Sequence, residues 1–97
     1  MIVVSVLYPT GPAFDMAYYR ERHLPLVRRL LAPLGMKQLG FFLPDQPAPY
    51  QLIAELRFES REAANAALAA HGPETQADIP NFTPAKPVIL IGEEFEG

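Results

Sequence analysis

The 97-residue chain predicts an α+β domain in which four strands and two helices follow one another as β-α-β-β-α-β. Three observations lead there. Eleven prolines punctuate the chain, and Pro9, Pro12, Pro33, Pro44, Pro47, Pro49, Pro73, Pro80, Pro84 and Pro87 all fall between periodic segments, as a residue without an amide donor should. The segments richest in β-branched residues, near the two ends, are apolar on both faces. Helical periodicity is confined to two stretches, each lying between strand-like runs.

Ile2 to Tyr8 opens the chain as a strand buried on both sides. After the turn Pro9-Thr10-Gly11-Pro12, Asp15 is placed to cap a helix from Met16 to Leu31. On that helix Met16, Tyr19, His23, Leu26, Val27 and Leu30 share a face, and the helix is expected to end near Pro33-Leu34-Gly35. Met36 to Leu43 follows as a second strand, and the proline-rich loop Pro44–Pro49 leads into a third. There Tyr50, Leu52, Ala54, Leu56 and Phe58 alternate with Gln51, Ile53, Glu55 and Arg57. Ser60 caps a second helix, Arg61 to Ala70, which Gly72-Pro73 is expected to stop, with one further turn to about Asp78. Val88 to Phe95 is the last strand. This order is the split βαβ, or ferredoxin-like, arrangement: a four-stranded antiparallel sheet with both helices on one face.

The other face of such a sheet lies open. Because the first and last strands are apolar on both sides, that face forms a greasy patch on a lone chain. The 49% hydrophobic content is high for a domain whose small size leaves it marginal. Both observations predict a homodimer packed sheet to sheet. The net charge of −3, with signs interspersed, gives nucleic acid no basic patch to bind. The absence of cysteine excludes disulfides and thiolate chemistry. No apolar run approaches the roughly 20 residues needed to span a bilayer, and Met1–Pro9 lacks the pattern of a signal peptide, so the expectation is a cytoplasmic protein with no membrane partner.

The chemistry-bearing segment is Phe14-Asp15-Met16-Ala17-Tyr18-Tyr19-Arg20-Glu21-Arg22-His23-Leu24-Pro25-Leu26-Val27. Asp15, Tyr19 and His23, four apart, form a ladder on a helix, and the imidazole is set in an otherwise apolar face. Its ordinary pKa near 6.5 suits it to exchange protons near neutrality. Pro25 removes the amide that would bond the Glu21 carbonyl, so a kink is expected there, leaving room for a pocket between helix and sheet.

His23 and Tyr19 are therefore candidate catalytic residues, with Tyr18, Asp15 and Phe14 as candidate ligand contacts. Each also has a plain structural reading. Histidine on an apolar face can be a hydrogen-bonded core residue, the tyrosines can serve packing, and Asp15 is favoured as a simple N-cap. No metal site is expected, since His23 and His71 lie on different elements without ligand spacing. His71 is better read as complementing a helix C-terminus than as an axial haem ligand, and no cofactor is expected.

Phe14-Asp15, Tyr18-Tyr19, His23 and Pro25-Leu26, preceded by a strand ending in Tyr8-Pro9, resemble the signature of the EthD family, named for ethyl tert-butyl ether degradation. The closing stretch from Asn81-Phe82-Thr83 to Pro87-Val88 also resembles it. The resemblance implies a dimeric α/β barrel with a small cavity between each sheet and its helices, and it maps the family's histidine onto His23 and its tyrosines onto Tyr18 and Tyr19. It further implies a small apolar or aromatic ligand and cofactor-independent chemistry. Cyclisation or decarboxylation of aromatic polyketides, oxygenation and lactone isomerisation occur among its wider relatives. A non-catalytic ligand-binding or accessory dimer is the alternative.

Overall fold

The computed structural model describes residues 1–97. Strands β1 (Ile2–Pro9), β2 (Met36–Phe42), β3 (Tyr50–Phe58) and β4 (Val88–Glu93) form one antiparallel sheet in the order β2-β3-β1-β4. Two helices cover one face. The first, α1, is continuous through Met16–Tyr18, Tyr19–His23 and Leu24–Leu31, and the second, α2, is Arg61–Ala77. The fold is ferredoxin-like, as the segment order predicts.

The alternation in β3 becomes burial. Leu52, Ala54, Leu56 and Phe58 are buried, as are Ile2, Val4 and Tyr8 of β1. Residues opposite one another on antiparallel strands share a face, and the pairs Val4↔Leu56 and Ile2↔Phe58 put both sets under the helices. Val27 and Leu31 of α1 and Ala64 and Ala67 of α2 complete this core, the two alanines letting α2 come close, since helix spacing follows the side chains at the contact. Nearer the other end of the sheet, Tyr8, Tyr19, Leu52, Ala54, Ile79 and Phe82 form a second cluster. A 3-10 turn at Ala32–Leu34 ends in Gly35 at φ 105°, a left-handed conformation that glycine adopts without steric cost. It turns the chain into β2.

The opposite face carries Val3, Ser5 and Leu7 of β1 beside Val88 and Leu90 of β4, through the pairs Leu7↔Val88 and Ser5↔Leu90. Leu90 is 56% exposed and Val88 41%. One polar island interrupts this face, where Arg57 meets Glu94 at 2.9 Å and Glu55 at 3.3 Å.

Three details depart from expectation. The second strand stops at Phe42 and the last at Glu93, slightly short of Leu43 and Phe95. Helix α2 does not stop at Gly72-Pro73 but runs through to Ala77. Gly72 has no Cβ to clash with the proline ring, and the Thr75 hydroxyl donates to the Gly72 carbonyl at 2.9 Å. His71 accordingly lies within the helix, its Nδ1 2.7 Å from Glu74, rather than at a helix end. No helix is long and apolar enough to cross a membrane.

Candidate active site

The Pro25 ring sets the geometry. Without a proline amide, the turn before it widens: Tyr19–His23 is π-helical, and the Leu24 amide bonds the Tyr19 carbonyl, five residues back. Pro25 then falls in the first turn of the following α-helical stretch, where a missing N–H costs little. The widened turn sets Tyr19 and His23 one above the other, their rings stacked at 5.5 Å and 21°. Phe82 closes on the imidazole from another side at 4.6 Å.

His23 is 5% exposed. Its Nδ1 lies 2.9 Å from Oδ2 of Asp78, which follows the end of α2. The other oxygen of Asp78 accepts from the Tyr18 hydroxyl at 2.7 Å and from the Asn81 amide at 3.0 Å. Burial alone works to raise the Asp78 pKa, but the bonds from Asn81, His23 and Tyr18 overcome it and hold the carboxyl below its ordinary value. Burial lowers the His23 pKa, partly offset by Asp78. The pair is thus a neutral imidazole beside a carboxylate. A carboxylate only accepts, so Nδ1 carries the proton and donates it, and Nε2 is left with its lone pair.

That Nε2 makes no hydrogen bond within the chain, yet no buried side-chain nitrogen or oxygen is both sealed and unpartnered. Nε2 must therefore touch open space. The space that His23 lines is a cavity of about 60 Å³ between the sheet and both helices, walled largely by aliphatic side chains such as Val6, Val27, Leu56 and Leu68. By the rule that one water needs roughly 10–15 Å³ on this measure, it has room for a group of about five heavy atoms. Tyr19 also lines it and is 1% exposed. Burial, with the nearby Tyr8 phenol, pushes the Tyr19 pKa far up, so its hydroxyl stays protonated.

The structure thus brings His23 and Tyr19 together on one cavity. Tyr18 lies outside the cavity, bordering a surface groove together with Asp78, and its hydroxyl pKa is raised chiefly by the bond to Asp78. Asp15 caps α1, its carboxylate accepting from the Tyr18 amide at 3.0 Å. Phe14 stands in the aromatic cluster, its ring 5.3 Å from Tyr8 and 5.2 Å from Phe82, and does not line the cavity. Sequence reasoning assigns no site role to Asp78, Asn81 or Phe82, although Asn81 and Phe82 belong to the closing stretch of the family resemblance. Their one local sign is an Asp and an Asn spaced three apart at a helix exit, which by itself indicates only a turn. The 13–15 segment is tied to the same exit: the Asp15 amide donates to the Phe82 carbonyl at 2.8 Å and the Thr83 hydroxyl to the Ala13 carbonyl at 2.7 Å. No three histidine or acidic side chains gather in a way that could hold a metal ion.

Comparison with known proteins agrees with this fold. An EthD-like protein from Ralstonia eutropha JMP134 is 33% identical and superposes with a TM-score of 0.81, over 95% of this chain and 89% of its own. An ethyl tert-butyl ether degradation family protein from Bacillus halodurans C-125 is 19% identical, with a TM-score of 0.71 over 98% of this chain and 99% of its own. A DABB family protein with a ferredoxin-like fold from Mesorhizobium loti MAFF303099 is 12% identical, with a TM-score of 0.62 over 98% and 97%. No curated protein matches the chain. The EthD domain model matches residues 8–85, a span holding α1, the aromatic cluster and the whole His23–Asp78–Tyr18 arrangement, and the chain therefore belongs to the EthD family.

Proposed function

We propose that the protein is a homodimeric, cofactor-independent enzyme that moves a proton on a small apolar or aromatic molecule, with His23 as the acid/base. The observation that carries this reading is the bond from His23 Nδ1 to Asp78 at 2.9 Å, which leaves Nε2 free to act as a base in a residue that lines an apolar cavity. Such an environment suits abstraction of a proton from carbon beside a carbonyl, or from a phenol. Nε2 takes the proton, the C–H pair becomes the C=C bond of an enolate as the carbonyl π pair moves onto oxygen, and the same Nε2–H returns the proton to carbon or oxygen. A positioned histidine contributes about 10²–10⁴-fold to such a step. Tyr19, kept protonated by burial, is a donor suited to the developing oxyanion. Proton transfers of this kind underlie isomerisation, decarboxylation and cyclisation, and also the carbanion formation that precedes cofactor-free oxygenation.

A second reading, a ligand-binding or accessory dimer without turnover, is favoured by the cavity's lining, in which His23 is the one histidine and no carboxylate joins it. An NMR titration separates the two, following the His23 ring nitrogens, with His23→Gln for assignment, in the presence of phenols and enolisable ketones. The enzyme reading expects ligand-dependent shifts at Nε2 and exchange of the ketone α-protons into D₂O at a rate that His23→Gln cuts at least a hundredfold. Shifts without exchange leave the binding reading; a His23 that ignores every ligand removes both.

A further inference from the structure

Helix α2 contains a buried glycine that no left-handed backbone conformation requires. Gly72 is buried in the helix interior, a position where glycine is less favourable than any residue but proline. It does not take a left-handed conformation, since Gly11 and Gly35 alone have positive φ. A Cβ built on it meets nothing within 4 Å, whereas one on Gly35 comes 3.4 Å from Ala63. Protein packing therefore does not demand the missing side chain. Gly72 also forms part of the wall of the cavity that His23 lines, so the open space at its missing side chain is read as belonging to that cavity.

We propose that Gly72 is a specificity-determining residue, its bare backbone setting the size of the group that the cavity admits beside His23. This rests on the reading of that cavity as a ligand site. In a cavity of about 60 Å³ a single methyl removes a substantial share of the room, and a leucine side chain all of it. The part of a ligand seated beside His23 is small, about five heavy atoms by the same measure, and its extent is limited by the stretch of α2 around Gly72 and Leu68. Pro73 offers a competing reason for glycine, because a Cβ before proline resists helical backbone. That reason acts on folding and disappears with the proline; the cavity reason acts on ligand size and does not.

The test exploits that difference. Binding of phenol, 4-methylphenol and 4-propylphenol is followed through the His23 ring signals in the parent, in Pro73→Ala, and in Pro73→Ala carrying Gly72→Ala or Gly72→Leu, with thermal unfolding run on each. Ala70→Leu, at an exposed position of the same helix, serves as a control expected to bind all three like the parent. Gly72→Ala is expected to weaken 4-propylphenol at least tenfold more than phenol, and Gly72→Leu to abolish binding of all three, each variant unfolding within a few degrees of Pro73→Ala. A folded Gly72→Leu or Gly72→Ala variant that binds the series like Pro73→Ala overturns the inference and leaves the site reading standing. Absence of any response in the parent removes the site reading, and the inference with it.

Discussion

Near neutral pH the His23 imidazole is uncharged and the Asp78 carboxylate charged, because burial and hydrogen bonding act on them in opposite ways. Both groups nevertheless hold pKa values below their ordinary ones, His23 below 6.5 and Asp78 below 3.8. The consequence for stability has one sign. Where the folded pKa is depressed, the unfolded chain binds more protons, so the contribution is fully present above the unfolded value and is lost as pH falls through the folded one. The urea midpoint is therefore expected to drop as pH falls below about 6.5, and again below about 4. His23→Gln should remove the first drop. Asp78→Asn should remove its own share of the second, make His23 protonate at still lower pH, and cost about 1–3 kcal/mol through the lost charged hydrogen bonds. A parent midpoint that is flat over the first interval would contradict the assignment of a buried neutral His23. At this scale the sequence was legible only within one helix. Tyr19 and His23 are four apart and visibly share a face, and Asp15 reads correctly as a cap, but Asp78 is separated from His23 by 55 residues. No periodicity reaches that far; only the packing of the α2 exit against α1 joins them.

At the scale of the element, two prolines behave differently from what their local chemistry suggests, and for different reasons. Pro25 was legible as a disturbance, but a kink and a wide turn are both ways of losing one amide, and the sequence does not choose between them. The choice falls to the wide turn, which stacks Tyr19 on His23 and moves Pro25 to the start of a helical stretch. Its cost should then be small. Pro25→Ala is expected to change stability by less than about 1 kcal/mol, rather than gain the roughly 3 kcal/mol that relieving a true helix-interior proline would give. Urea unfolding measures this, and the larger gain would show that the wide turn does not relieve the proline. Pro73 reads as a stop by the same rule, yet α2 passes through it, since Gly72 has no Cβ to clash with the proline ring. The strands were legible almost to the residue, because a period of two with one buried face leaves little freedom in register.

For the whole molecule, the open face of the sheet is the dominant feature. On β4, at the edge of the sheet, Val88 and Leu90 of this face are 41% and 56% exposed, beside Val3 and Leu7 of β1. A face of this kind on a small domain marks an interaction surface. The Arg57–Glu94–Glu55 island does not oppose its burial, because the guanidinium already has its partners within the chain, and a paired charge is far less costly to cover than a lone one. The proposed sheet-to-sheet dimer should appear in sedimentation equilibrium at micromolar concentration, and Leu90→Lys should weaken it at least tenfold by placing an ammonium opposite apolar surface. A parent that sediments as a monomer would dispose of the dimer.

The long tie between His23 and Asp78 also fixes when, and not only where, the site comes into being. Helix α1 lies in the first third of the chain, whereas Asp78, Asn81 and Phe82 come in the last fifth. A nascent chain displaying α1 would have an imidazole with no carboxylate to set its tautomer and no Phe82 against its ring. The site is therefore incomplete until Asp78, Asn81 and Phe82 have been made, so a chain truncated before Asp78 carries the Phe14–Leu26 signature and none of the arrangement.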